Sequence, residues 1–258
     1  MTGPASPSRI NALHDLLANR IAILDGAMGT MVHALALDEN GFRGARFAEH
    51  HRDLKNCIDV LTLTQGDAIR GIHTAYLEAG ADIVETNTFG ATSVALADFG
   101  LQHLTREMNL VAASLARQAA DSVMAKTPGR QAFVAGSIGP TNKQLSIAGN
   151  VADPGHRDVT FDQMVAAYRE QIEALIEGGV DLLLAETAFD TLVLKACLHA
   201  IEQVFSDLGR KLPVMASFTI FEGGRTLSAQ TVEACWTSIS HIEEIGRASC
   251  RERVLVTV

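Results

Sequence analysis

Five stretches of the chain each end a short apolar run on a polar side chain. Ile21-Ala-Ile-Leu-Asp-Gly-Ala-Met-Gly-Thr30 ends on Asp25, and Ala81-Asp-Ile-Val-Glu-Thr-Asn-Thr-Phe-Gly90 carries Glu85 and Asn87. Ala132-Phe-Val-Ala-Gly-Ser-Ile-Gly-Pro140 carries Ser137, Val180-Asp-Leu-Leu-Leu-Ala-Glu-Thr-Ala-Phe189 carries Glu186, and Pro213-Val-Met-Ala-Ser-Phe-Thr-Ile220 carries Thr219. An apolar run closed by a polar, glycine-containing turn reads as a buried strand. In parallel α/β proteins the chemistry gathers at the carboxyl ends of such strands. Carboxylates at Asp25, Glu85 and Glu186 can bind an ammonium group, hold a metal or move a proton. Glycine turns at Gly26 and Gly29, and at Gly136 and Gly139, bring backbone N–H groups toward a carboxylate. With Asn142 and Asp190 nearby, this set suits an amino-acid zwitterion. The competing reading makes Asp25 a solvated turn residue and gives Glu85 and Glu186 to salt bridges around a rim.

The intervening segments supply the helices that position these ends. Ser8 caps a first helix with apolar residues Ile10, Leu13, Leu16 and Leu17, placed to close the bottom of the sheet. Thr64-Gln-Gly-Asp67 reads as a capping-box start, followed by a face of Ile69, Ile72, His73 and Tyr76 and a stop at Gly80. A long helix over Thr105 to Lys126 carries Leu110, Val111, Leu115 and Val123 and ends at Pro128-Gly129. Thr160-Phe-Asp-Gln163 opens the next helix, which runs to Gly178-Gly179. Asp190 caps another, with Leu194, Leu198, Ile201 and Phe205 inward, and Val232, Cys235, Trp236 and Ile239 give the last its face. Residues 33–57 lack a period and read as an irregular excursion over the strand tops, with His50 and His51 as surface histidines.

Five strand-helix units result, their strands starting about 30 to 60 residues apart, as right-handed crossovers require. The strands are near-continuous apolar runs, as parallel strands buried on both faces should be. A doubly wound sheet and a barrel both fit. The absence of a dinucleotide glycine fingerprint favours an α/β, (β/α)8 TIM-type barrel, incomplete and holding about the first five units. The expected division is a flexible tail over residues 1–9, a partial barrel over 10–244 and an atypical tail over 245–258. That last segment holds Arg247, Arg251 and Arg253, which break the preceding composition, and it reads as a non-native interruption. Val254 to Val258 can still form a sixth strand.

The chain has 258 residues, 47% of them hydrophobic and 20% charged, with a net charge of −9. That charge argues against nucleic acid or an anionic membrane as partner. No apolar run nears the ~20 residues of a membrane span, and Met1 to Ser8 lack a secretory pattern. Four cysteines, Cys57, Cys197, Cys235 and Cys250, stand far apart without a CxxC, which fits free thiols in a reducing cytoplasm.

Five motifs in order carry a resemblance to a known family. Asp25-Gly-Ala-Met-Gly-Thr30, Gly80-Ala-Asp-Ile-Val-Glu-Thr-Asn-Thr-Phe89, Gly139-Pro-Thr-Asn142, Glu186-Thr-Ala-Phe-Asp-Thr191 and Gly224-Arg-Thr-Leu-Ser-Ala-Gln-Thr231 resemble the homocysteine-binding domain of cobalamin-dependent methionine synthase over residues 10–244. The resemblance implies a barrel that binds L-homocysteine through Asp25, Gly26, Ala27, Met28, Gly29, Glu85, Asn87, Ser137 and Glu186, with Glu186 on the substrate ammonium. It implies a zinc ion held by three cysteine thiolates, one after the sixth strand and a Cys-Cys pair after the eighth. Such a zinc keeps an open position and favours the thiolate form of the substrate sulfur. It also implies methylcobalamin on a separate domain, re-methylated by a folate-binding domain. The Cys-Cys pair has no counterpart here. Cys250 lies near the place of the first zinc cysteine, but Arg247-Ala-Ser-Cys-Arg251 lacks the apolar strand end expected there, so it is not assigned as a ligand. Cys57, Cys197 and Cys235 match no zinc position. The expectation is a homocysteine S-methyltransferase domain, present as a fragment and inactive alone. Two alternatives stand beside it: a zinc-dependent homocysteine methyltransferase using S-methylmethionine or betaine, and an inactive partial barrel that only binds.

Overall fold

The computed structural model describes residues 7–147, 152–241, 246–250 and 253–257. The expected tail over residues 1–9 lies outside the described residues up to position 6, as does Val258 at the other end. In chain order the helices are α1 (Pro7–Asn19), α2 (Met28–Ala34), α3 (Glu39–Arg43), α4 (Leu61–Thr64), α5 (Gly66–Ala79), α6 (Ser93–Leu96), α7 (Thr105–Lys126), α8 (Phe161–Glu177), α9 (Thr191–Leu208) and α10 (Val232–Ile239). The strands are β1 (Ile83–Glu85), β2 (Phe133–Ile138), β3 (Leu182–Ala188), β4 (Val214–Thr219), β5 (Gly246–Cys250) and β6 (Arg253–Thr257). Strands β1 to β4 lie side by side and parallel, each crossover carrying helices. This is the incomplete TIM-type barrel expected from the sequence. Among the described residues no helix is long and apolar enough to cross a membrane.

The first expected strand is reduced to a single parallel bridge, Leu24 to Ile83, with the Ile83 N–H donating to the Ile23 carbonyl and the Asp25 N–H to the Ile83 carbonyl. Ile21 is 88% and Ile23 55% exposed, so the segment packs on one face only. At the other end the structure departs from a bare fifth strand. β6 pairs antiparallel with β4, and β5 antiparallel with β6. A strand does form where Val254 to Val258 suggested one. It runs against β5 because two residues separate the two strands, far too few for a parallel crossover.

Alternation along the strands sorts the core. Ile83, Phe133, Ala135, Leu182, Leu184 and Met215 face inward and meet Leu13 of α1, with Ala12 and Leu16 beside it. Val84, Val134, Leu183, Ala185 and Ala216 belong to the larger core that includes α7, α8 and α9. α1 therefore closes the lower end, as its apolar stripe indicated. Two aspartates fasten that end, each one residue before a strand. Asp82 accepts from both terminal nitrogens of the Arg20 guanidinium at 2.6 Å and from the Ile23 N–H at 2.9 Å. Asp181, 1% exposed, sits between Arg9 and Arg117 and accepts the Val134 N–H.

Several local expectations are met. Thr160 and Gln163 form a reciprocal capping box on α8, the Asp190 side chain caps α9, and Gly80 ends α5 at φ 119°. Others are corrected. Ser8 lies inside α1, which starts at Pro7, a residue suited to a first helical position. Thr64 caps nothing: it ends α4, its hydroxyl donates to the Val60 carbonyl, and α5 starts at Gly66. On α7 the buried face is Ala112, Ala113, Ala116, Ala119 and Ala120 with Met108, while Leu110, Val111 and Leu115 are half-buried. Small residues let this helix lie close against its neighbours, and the larger ones fill the flanks.

Candidate active site

A cavity of about 460 Å³ opens at the carboxyl ends of the parallel strands. Asp25, Gly26, Ala27, Met28 and Gly29 line one side, Glu85 and Asn87 come from the end of β1, Ser137 from β2 and Glu186 from β3. All the residues singled out from the sequence as substrate contacts thus face one space. Asn142 also lines it. Asp190 and Thr219 do not. Asp190 accepts from the Leu145, Ser146 and Leu192 amides and the Ser146 hydroxyl, and so holds a loop to the start of α9.

The first turn is built differently from its glycines' suggestion. The left-handed residue is Ala27, at φ 49° and ψ 41°, and Gly29 already lies within α2. Ala27 precedes α2, and its carbonyl accepts the Met31 N–H at 3.1 Å. The amides of the first turn, at Met28, Gly29 and Thr30, have no carbonyl partner within the helix. The second glycine turn is not a donor site. Gly136 is a buried residue of β2, and the Gly139 N–H donates to the Phe89 carbonyl. A Cβ at Gly139 would lie 2.5 Å from that same oxygen, so the close crossing of the two loops requires glycine.

The hydroxyls and amides between the carboxylates are largely committed. Thr86 and Thr88 share a hydrogen bond at 2.6 Å, the Thr88 hydroxyl donates to the Ser137 carbonyl, and the Ser137 N–H donates to the Thr86 hydroxyl. The Asn87 side-chain amide donates to the Ile58 carbonyl at 2.9 Å. The Ser137 hydroxyl donates to Glu186 Oε1 at 2.5 Å. The ends of β1, β2 and β3 are thereby tied into one rigid wall.

Burial pushes the Asp25 carboxyl up to about 7, with the Glu186 charge adding to the shift and the Glu85 N–H, which donates at 3.0 Å, opposing it. The folded state therefore binds more protons than the unfolded chain between about pH 4 and pH 7, so this group's contribution to stability falls as pH rises through that window. Asp25→Asn mimics the protonated form. Its melting temperature should match the wild type near about pH 4 and exceed it by several degrees near about pH 8, as calorimetry at the two pH values would read. An equal offset at both would show that Asp25 titrates normally.

Sequence reasoning missed Asp59. It lines the cavity, is 9% exposed, and accepts the Gly90 N–H at 2.8 Å. Burial pushes its carboxyl up to about 6. The signal was an acid isolated in the apolar run Cys57-Ile-Asp-Val-Leu61. With Asp98, the lining holds five carboxylates, Asp25, Asp59, Glu85, Asp98 and Glu186, and among the described residues no Lys, Arg or His. Such a wall selects a ligand with a positive group.

The zinc implied by the resemblance would need three accessible thiolates. Cys57, Cys197 and Cys235 are buried, and burial pushes the Cys57 thiol to about 12, the Cys235 thiol to about 11 and the Cys197 thiol higher still. Among the described residues no three His, Cys, Asp or Glu side chains form a group that could hold a metal. The backbone of Cys250 lies in β5, opposite Arg253. These donors do not fit a three-thiolate site.

A parallel α/β barrel wall with an acidic pocket at its strand ends places the chain among the TIM-barrel proteins. The sequence profile of the homocysteine S-methyltransferases matches residues 22–250, and the chain belongs to that family. Among solved structures, the oxidized form of the Escherichia coli homocysteine methyltransferase MmuM is 25% identical, with a TM-score of 0.66 over 88% of this chain and 72% of that one. The metallated form is 24% identical, with a TM-score of 0.66 over 90% and 74%. The apo form is 22% identical, with a TM-score of 0.60 over 88% and 70%.

Proposed function

We propose that the cavity binds L-homocysteine as the methyl acceptor, with Glu186 on the ammonium, Asp25 as a second polar contact and the Ala27, Met28 and Gly29 amides toward the carboxylate. One observation supports this reading: strand-end carboxylates and the residues that open α2, Ala27, Met28 and Gly29, line a single cavity with, among the described residues, no basic side chain. The ammonium and the carboxylate of one amino acid would then each meet a group of opposite polarity, which fixes its orientation and leaves the thiol-bearing arm free to project. Glu85, Asn87 and Ser137 complete the wall.

The five collinear motifs support methylcobalamin, carried on a separate domain and renewed from a folate-binding domain, as the methyl source. The acidic lining also suits a small donor bearing a sulfonium or quaternary ammonium group, such as S-methylmethionine or betaine, against which the Asp25–Thr30 and Thr226–Thr231 motifs lean. Because its described donors do not fit zinc, the chain alone is expected to bind homocysteine without retaining the metal or forming methionine. Metal analysis after dialysis, beside transfer assays with methylcobalamin and with S-methylmethionine, tests this. Less than one zinc per ten chains and homocysteine binding without turnover are expected, at roughly the level where adventitious metal dominates. One tightly held zinc per chain, or methionine from either donor, would show that the metal site has been misplaced.

A further inference from the structure

The strand that carries Glu186 is irregular at that residue. Ala185 pairs with Ala216 and Ala188 with Phe218, so Glu186 and Thr187 together oppose Ser217 alone. This is a β-bulge, which removes one residue from the ladder and re-aims the adjacent side chain. Thr187 sits at φ 59°, a left-handed conformation that a β-branched residue adopts only under constraint from its surroundings. The bulge also releases a backbone amide, and the Ser217 side chain takes it: the Thr187 N–H donates to Ser217 Oγ at 2.8 Å. Ser217 is 2% exposed, so water does not offer that amide an alternative partner from the β4 side. On the other flank the Ser137 hydroxyl holds Glu186 Oε1, and the Thr187 hydroxyl lies 3.4 Å from Oε2.

We propose that Ser217 is a positioning residue for the reaction: by accepting the amide that the bulge releases, it holds Thr187 in its left-handed turn and so keeps the Glu186 carboxylate on the cavity wall. This rests on Glu186 as the ammonium contact. Without the hydroxyl, the amide has no partner and the bulge relaxes toward a regular strand. The alternation that turns Leu182 and Leu184 inward keeps Glu186 on that face in a regular strand, but the backbone beyond Ala185 shifts register, so the carboxylate is drawn off the Ser137 hydroxyl and loses the Thr187 hydroxyl.

The test compares two ligands, L-homocysteine and 4-mercaptobutyrate, which lacks only the amino group, by titration calorimetry on the full chain. Ser217→Ala should weaken homocysteine by about tenfold and leave 4-mercaptobutyrate within about twofold, while Ser217→Thr, which keeps the acceptor, should restore the wild-type difference. A general structural loss would lower both affinities together. Glu186→Gln separates the proposal from the reading beneath it. If Glu186→Gln abolishes the preference for homocysteine and Ser217→Ala does not, the proposal falls and the reading stands. If Glu186→Gln leaves the preference intact, or the wild type binds neither ligand, both fall. A crystal structure of Ser217→Ala with Thr187 still left-handed and Glu186 still on the Ser137 hydroxyl would also overturn the proposal, even if the variant bound too weakly to titrate.

Discussion

Glu186→Gln should weaken homocysteine binding by about a hundredfold while leaving the melting temperature close to wild type. The argument starts from what the substitution keeps. Glutamine is the same shape, and its Oε1 can still accept the Ser137 hydroxyl that now meets Glu186 at 2.5 Å. What it removes is the negative charge opposite the ligand's ammonium. A charge-assisted hydrogen bond in a site that is 7% exposed contributes about 3 kcal/mol, which is about a hundredfold in affinity. Asp25→Asn should cost less, because a carboxyl whose pKa is pushed to about 7 is only partly charged at neutral pH. Titration calorimetry with matched unfolding curves would read both effects. Equal binding by Glu186→Gln and wild type would remove Glu186 from the ammonium site.

Asp181→Ala should be among the most damaging single changes to stability. Asp181 is 1% exposed and joins three elements: Arg9 of α1, Arg117 of α7 and, through the Val134 N–H, β2. Removing it leaves the Arg117 guanidinium, itself 7% exposed, with only the partly exposed Asp121 as an anionic partner among the described residues. Breaking a buried pair by deleting one member costs about 3 to 5 kcal/mol, since the remaining charge stays out of water. Denaturant unfolding should show this as a lowered midpoint. A loss below about 1 kcal/mol would mean that Arg117 swings to solvent and Asp181 is dispensable.

The strand ends were legible because buried parallel strands write themselves as apolar runs, and the polar residue that interrupts each run is where the sheet stops. Asp25, Glu85, Ser137 and Glu186 were found that way. Capping at Thr160 and Asp190 was equally local, needing only residues within one turn. What stayed hidden depends on contacts distant in sequence. Ala27 and Thr187 are left-handed although neither is glycine, because neighbouring strands and helices impose the conformation. Asp59 joins the site through Gly90, thirty-one residues away, so no local pattern marks it. The buried alanines of α7 carry little hydrophobicity each, and a periodicity reading weights Leu110 and Leu115 above them. The antiparallel return of β6 onto β4 is a choice of direction that strand propensity does not encode.

The placement of charge along β3 has a consequence for how this barrel can change. Asp181 and Glu186 stand five positions apart, roughly 16 Å along one strand, at opposite ends. One neutralises arginines beneath the sheet and the other faces the cavity above it, with only Leu182, Leu183, Leu184 and Ala185 between them. At that separation, and with no shared partner, free-energy changes at the two ends should add rather than interact. Substrate preference can therefore drift by substitution at the upper ends of the strands while the lower ends preserve the fold, so a lineage carrying this architecture can explore new acceptors without first acquiring surplus stability.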